Sequence, residues 1–304
     1  TNSNCLEIVG FQYFYQSLEP LIKFKISQIN LSVMPNDFQM EKLNNFQDLQ
    51  ILKLKRSYGN TYKLSFSNTK LSKLNHLEID GMFDVQDLEK NIKQFKKLKM
   101  DIINNKYIFS DPSLLLEELS FRPQSLVGIN MPALKQLSLN LGQQMDLAPL
   151  STLTSLEHLF ISYSGFGFQF KDGEAISTLK NLKFLELRNL NLFSIGFIQP
   201  LQKLEKIVVF GCQVTNLLPL LQCASLLQVE FNHNCKIDKG GIVGIVELIA
   251  KGVRFNGRGK VVRQDGKITE LDCSQIKEIL SFPQIELLKN LTHLCISGTN
   301  ISDL

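Results

Sequence analysis

The residues best equipped to engage another molecule are aromatic. Phe160, Tyr163, Phe184 and Phe210, with Val208, fall in three consecutive copies of a repeating pattern, in positions expected to face water. Large apolar side chains grouped on one wet face are the material of protein-contact hot spots. Beside them the pattern sets His158, Arg188 and Asn232, which can donate or accept hydrogen bonds at the rim of such a patch. Lys53 and Lys55 occupy equivalent positions near the start of the chain, followed one copy later by His76, Glu78 and Asp80. A change of sign of that kind can orient a charged partner. These ten residues, His158, Phe160, Tyr163, Phe184, Arg188, Val208, Phe210, Asn232, Lys53 and Lys55, are the expected partner-binding set.

Other chemistries find less support. The four histidines, His76, His158, His233 and His293, lie in well-separated copies, and no Cys/His spacing suggests a metal ligand set. Glu230, Glu270 and Asp272 are acids with nothing to hold them against a substrate, and no nucleophile, base and orienting acid recur together. No catalytic, cofactor or metal residue is assigned, and no small-molecule substrate is expected. Lys90, Lys93, Lys96, Lys97 and Lys99 are read as the return side of one copy, and Lys23, Lys25 and Arg56 join Lys53 and Lys55 in a basic start. A net charge of only +4 makes nucleic acid an unexpected partner. The stretch 255–267 is rich in Gly and basic residues but lacks the G-x-x-x-x-G-K-[ST] order of a phosphate-cradling loop.

The elements that must position these side chains are visible as a ladder of apolar residues returning about every 22 to 23 positions. Its clearest copies are Leu156, Leu159, Ile161; Leu182, Leu185, Leu187; Leu204, Ile207, Val209; and Leu291, Leu294, Ile296. Fainter copies start at Leu21, Leu49, Leu74, Leu116, Leu134, Leu226 and Ile268, with two more placed from Lys97 and Ala250, about 13 in all. The L-x-L end alternates with period two, as a half-buried strand does. Period-three runs precede it: Leu147, Leu150, Leu153, Leu156; Leu192, Ile195, Ile198, Leu201, Leu204; and Phe282, Ile285, Leu288, Leu291. That period predicts short 3₁₀ or helical returns.

On these residues the chain resembles the leucine-rich repeat family. It is most similar to the 22-residue class found in a protein phosphatase 1 regulatory subunit and in internalins, with Leu291–Leu304 the best single match. The resemblance implies an α/β solenoid, an arc with a parallel concave sheet, and a partner held on that sheet. It also implies an Asn at the ninth position of each copy. Only Asn105 and Asn234 comply, with Ser57, Ser164, Cys212 and Thr299 as stand-ins and Ile29, Met82 and Leu190 as departures.

A solenoid grows in one dimension, so residues 1–304 are read as a single domain, with 238–267 an irregular unit holding a helix and a Gly-rich basic loop. The last copy stops without a polar cap, so the chain is expected to be a fragment of a longer one. No apolar run reaches the roughly 18 residues of a membrane span. Six scattered cysteines, unclustered at either end, favour a reducing, cytoplasmic setting, with the cell surface or secretion as the alternative. The expected function is a non-catalytic interaction scaffold for a protein partner; the alternative is a recognition module of a surface receptor, adhesin or secreted virulence factor.

Overall fold

The structure is a computed structural model. It describes residues 5–8, 21–32, 39–55, 62–88, 91–102, 109, 111–165, 168–170, 173–192, 194–212, 214, 217–231, 248–249, 252–255, 260–264, 267–274, 290 and 292–299. The chain divides into two compact units, Thr1–Met145 and Asp146–Leu304.

In unit 1 the strands are β1 (Cys5–Ile8), β2 (Gln28–Leu31), β3 (Ile51–Lys55), β4 (Tyr62–Ser65), β5 (His76–Gln86), β6 (Lys97–Ile102), β7 (Glu118–Phe121) and β8 (Gln136–Leu141). All but β4 pair in parallel in chain order. β5 turns a corner at Gly81, whose φ of 125° suits a residue without a side chain, and its second half pairs with β4.

In unit 2, β9 (His158–Tyr163), β11 (Phe184–Arg188), β13 (Lys206–Phe210), β14 (Gln228–Phe231) and β15 (Arg254–Phe255) form a parallel ladder in that order. Two-residue strands β10 (Phe168–Gln169) and β12 (Leu190–Asn191) pair beside it. A separate sheet joins β16 (Lys260–Gln264) to β17 (Lys267–Asp272) to β18 (His293–Cys295). The helix α1 spans Gly173–Ser177.

The period-three runs are 3₁₀ turns. Leu150 N–H donates to the Leu147 carbonyl, Leu153 to Leu150 and Leu156 to Leu153, each at 3.0 Å. Ile198, Leu201 and Leu204 repeat the chain from Ile195 at 3.1, 2.8 and 3.1 Å. A residue every third position therefore falls on one edge of the return, and every one of these is at most 1% exposed. The strand after each return alternates: in β11, Leu185 and Leu187 are fully buried, while Phe184, Glu186 and Arg188 lie on the opposite face. Successive turns are stitched by shared carbonyls. Glu157 O accepts from Lys183 and Phe184 N–H at 2.8 and 3.1 Å, and Lys183 O from Glu205 and Lys206 at 2.8 and 3.0 Å. Burying the Leu185 side chain alone contributes roughly 1.5–3 kcal/mol.

At Cys212 the ninth-position stand-in serves the turn backbone. Cys212 is 1% exposed; its Sγ accepts from Leu190 N–H at 3.4 Å and donates to the Phe210 and Leu187 carbonyls at 3.3 and 3.6 Å. A thiol thus satisfies the turn backbone that Asn serves in the family pattern. Asn105, Asn234, Ser57 and the run Phe282, Ile285, Leu288, Leu291 lie outside the described residues.

Three expectations about register are corrected. The first copy is not built on Leu21 with Lys23, Lys25 and Ser27 on the sheet face. Its strand is β2, with Ile26, Ile29 and Leu31 as the buried ladder and Gln28 and Asn30 on the other face. Ile29 is therefore core rather than a departure, and Lys23 and Lys25 sit before the strand. The copy placed from Lys97 starts two residues earlier, on Phe95, Leu98 and Met100. Among the described residues about nine turns repeat regularly, against the 13 counted in the sequence. In the irregular stretch, the expected Gly-rich basic loop contributes a strand, β16; Leu248 and Ile249 are helical, and residues 238–247 lie outside the described residues.

Candidate functional site

Parallel pairing without slippage puts equivalent residues of successive turns in rows. On unit 2 one row reads His158, Phe184, Lys206, Gln228; the next Phe160, Glu186, Val208, Glu230; the third Ser162, Arg188, Phe210. The period-two alternation that buries Leu159, Leu185, Ile207 and Val229 forces all of these onto one face.

The aromatic residues meet there. The Phe160 and Phe184 rings lie 5.0 Å apart between centroids, tilted by 37°, and His158 stacks on Phe184 at 6.0 Å. Lys206 Nζ sits 5.7 Å from the Phe184 centroid, and the Arg188 guanidinium 4.8 Å from that of Phe210. Both cations also hold acids: Arg188 pairs with Glu186, and Lys206 Nζ lies 2.7 Å from Glu230. The rings are consequently half-buried rather than fully exposed, roofed in part by their own neighbours. Tyr163 ends β9, half-buried, and its carbonyl accepts from Asn189 Nδ2 at 3.2 Å.

Val208 departs from expectation. It lies in the predicted row but is only 3% exposed. A short β-branched side chain flanked across the ladder by Glu186 and Glu230, and along the strand by Lys206 and Phe210, is overgrown by four longer ones. It fills the floor of the patch and offers no contact surface. Asn232 lies outside the described residues.

Lys53 and Lys55 belong to unit 1, where a different surface forms. Lys53 Nζ is 3.1 Å and Lys99 Nζ 2.7 Å from the two oxygens of Glu78; Lys55 reaches Asp80 at 3.6 Å, and Lys97 pairs with Glu118. Lys97 and Lys99 are thus strand residues on the face of Glu78, not on the return side where the spacing predicts them. Basic strands β3 and β6 alternate with acidic β5 and β7. Burial alone would raise the Glu78 carboxyl, but hydrogen bonds from Lys99 and Lys53 outweigh it and hold it below the usual carboxylate range. Burial, then Lys53, pushes His76 down, which keeps it neutral between its charged neighbours. The expected basic start is therefore a neutralised ladder.

Among the described residues no group of three His, Cys, Asp or Glu side chains converges as metal ligands, and no helix is long and apolar enough to cross a membrane.

Solved structures that share this architecture are repeat proteins. An internalin, InlF, of Listeria monocytogenes matches with a TM-score of 0.52 at 18% identity, over 86% of this chain and 78% of its own. A leucine-rich repeat protein of Leptospira interrogans matches with a TM-score of 0.53 at 16% identity, over 97% and 78%. The chain has the leucine-rich repeat fold. No family model matches the sequence, and no curated protein matches it. At such identities the likeness carries the fold and not a partner or an activity.

Proposed function

We propose that this leucine-rich repeat chain is a non-catalytic interaction module that holds a protein partner on the concave face of unit 2. One observation carries the reading. His158, Phe160, Phe184 and Phe210 are half-buried on rigid parallel strands, in ring-to-ring and ring-to-cation contact, while the opposite face of the same strands supplies the core. Aromatic anchors held in fixed rotamers cost little entropy when a partner docks, and the surrounding Arg188–Glu186 and Lys206–Glu230 pairs form a polar rim. Val208 supports the anchors from beneath. The ladder around Lys53 and Lys55 is a secondary contact, balanced to within one charge and so a source of register rather than of affinity.

The chain's thiols support a reducing compartment. Cys212 acts as a hydrogen-bonding thiol in the turn, and burial pushes Cys223 and Cys273 up to about 11 and about 12, which suits structural thiols.

The test is capture of a partner from native extract by the wild type and by a Phe160→Ala, Phe184→Ala double variant shown to be folded by circular dichroism. The variant should lose roughly 2 kcal/mol or more of binding, about thirtyfold in affinity. Undiminished capture by the folded double variant removes this site.

A further inference from the structure

Arg188 is held from two directions. Its guanidinium lies over the Phe210 ring, 4.8 Å from the centroid, and its Nε donates to Glu186 Oε1. A ring on one side and a carboxylate at Nε together restrict how the group can turn. A guanidinium carries five N–H donors in a planar fork, and Glu186 takes the one on Nε. Among the described residues no other acceptor is bonded to it, so the donors on Nη1 and Nη2 are unengaged. They are also the outer end of the pair: the Arg188 side chain is 49% exposed, that of Glu186 beneath it 13%.

The ladder leaves room beside this fork. Across from Arg188 on β9 stands Ser162, the shortest side chain of its row, and Phe210 stands on the other side. The sheet face therefore dips at Ser162, between Arg188 and Phe160, which lies two residues earlier on β9. A flat anion with two oxygens matches the Nη fork bidentately, and a carboxylate is such a group. A phosphate dianion matches the charge less well. Glu186 already balances Arg188, and Lys206 on the neighbouring strand is engaged with Glu230 at 2.7 Å.

Spacing relates the fork to the rings. Arg188 lies four residues beyond Phe184 on β11, about 13 Å along the strand, and its row lies two residues, about 7 Å, beyond that of Phe160. Side chains on one face of an extended segment recur every second residue at the same rise. An acid two or four residues from an apolar side chain can therefore reach the fork while the apolar side chain rests on the rings.

Building on the reading of this face as a partner site, we propose that Arg188 is a carboxylate seat. The partner presents an extended segment whose aspartate or glutamate takes the Nη fork above Ser162, two or four residues from an apolar side chain packed on Phe160 and Phe184. Glu186 and Phe210 are positioning residues that hold the guanidinium. The rings supply affinity, and Arg188 supplies the choice of partner.

The probe is a fluorescein-labelled peptide, Gly-Ser-Leu-Ser-Asp-Ser-Asp-Ser-Gly, titrated with the full chain and read by anisotropy. It should bind at least about tenfold more tightly than the analogue with asparagine in place of both aspartates. Arg188→Lys keeps the charge but not the fork, and should shrink that ratio to about threefold or less. Phe160→Ala with Phe184→Ala should weaken both peptides alike and leave the ratio unchanged. No binding of the aspartate peptide, equal binding of the asparagine analogue, or an undiminished ratio in Arg188→Lys overturns the proposal. Tighter binding of an analogue with phosphoserine in place of both aspartates overturns the choice of a carboxylate. A double phenylalanine variant that keeps both the affinity and the ratio would remove the aromatic anchors while supporting the seat, so the two readings fail separately. The comparison of aspartate with asparagine needs no protein variant, so it decides even if a substituted chain fails to fold.

Discussion

Adjacent residues of β11 should respond very differently to truncation, and the contrast tests the register on which the account stands. Leu185 is fully buried and flanked across the ladder by Leu159 and Ile207, also fully buried. Rigid neighbours on both sides leave little room for collapse, so Leu185→Ala should fall in the upper part of the roughly 2–5 kcal/mol range for such changes. Phe184, one residue earlier, is half-buried on the other face. Its removal costs an aromatic pair with Phe160, about 0.5–1.5 kcal/mol, and an exposed cation–π contact with Lys206, about 0.5–1 kcal/mol. Phe184→Ala should therefore destabilise by about 1–2.5 kcal/mol, less than the leucine change, although it removes the larger side chain. Urea unfolding monitored by circular dichroism measures both. Unit 2, Asp146–Leu304, falls in the size range that loses about 2–4 °C of melting temperature per kcal/mol, so calorimetry separates them too. Equal losses, or a larger loss for Phe184→Ala, would mean that the faces are assigned the wrong way round.

Other consequences rest on particular side chains. In a double-mutant cycle on Phe160 and Phe184, unfolding free energies should show a coupling of about 0.5–1.5 kcal/mol; additive losses would show that the rings do not touch. Cys212→Ala strands the Leu190 N–H and should cost about 1–3 kcal/mol, whereas Cys212→Asn, which restores an acceptor and a donor, should recover much of it in the same urea assay. Glu78 has a depressed pKa, so its contribution is complete above its unfolded value of 4.5 and fades as pH falls through the lower folded value. The wild type should lose melting temperature over that acid window more steeply than Glu78→Gln, and parallel curves would deny the Lys53 and Lys99 bridges a role. Exposed Cys5 and Cys295 should be alkylated by iodoacetamide at pH 8 well before Cys223 and Cys273, whose thiols burial pushes up to about 11 and about 12; mass spectrometry of early time points decides.

Much of this architecture is legible in the sequence, and the reason is periodicity. From Leu49 onward, the copies, clear and faint, place His76, Glu118, Gln136, His158, Phe184, Lys206 and Gln228 in one row position; the pairing keeps that row within each unit, with Lys97 standing between His76 and Glu118. The period-three runs mark the 3₁₀ returns because that hydrogen bond closes over three residues. The misassignments lie where periodicity is ambiguous. Leu21 competes with Ile26 as the head of the first copy, and only the pairing of Ile29 with Leu52 decides for Ile26. A two-residue offset at Lys97 preserves the strand's parity but hides Lys99 as a partner of Glu78. The β16–β17 hairpin carries its own signal in Asp265-Gly266 between alternating strands, easily overlooked because a repeat array leads one to expect only parallel pairing. Val208 shows a different limit. Face assignment comes from alternation, but exposure depends on the length of the four neighbours, which a single strand's sequence does not contain.

The central claim, that the aromatic rows of unit 2 hold a protein partner, is tested most directly by photo-crosslinking. A benzophenone amino acid would be placed at Phe160 in one sample and at Val127, an exposed apolar residue of unit 1, in another, and both irradiated in native extract. The account predicts a discrete adduct from position 160 that disappears when Phe184→Ala is added, and none from position 127. Adducts from position 127 alone, or from neither, would contradict it.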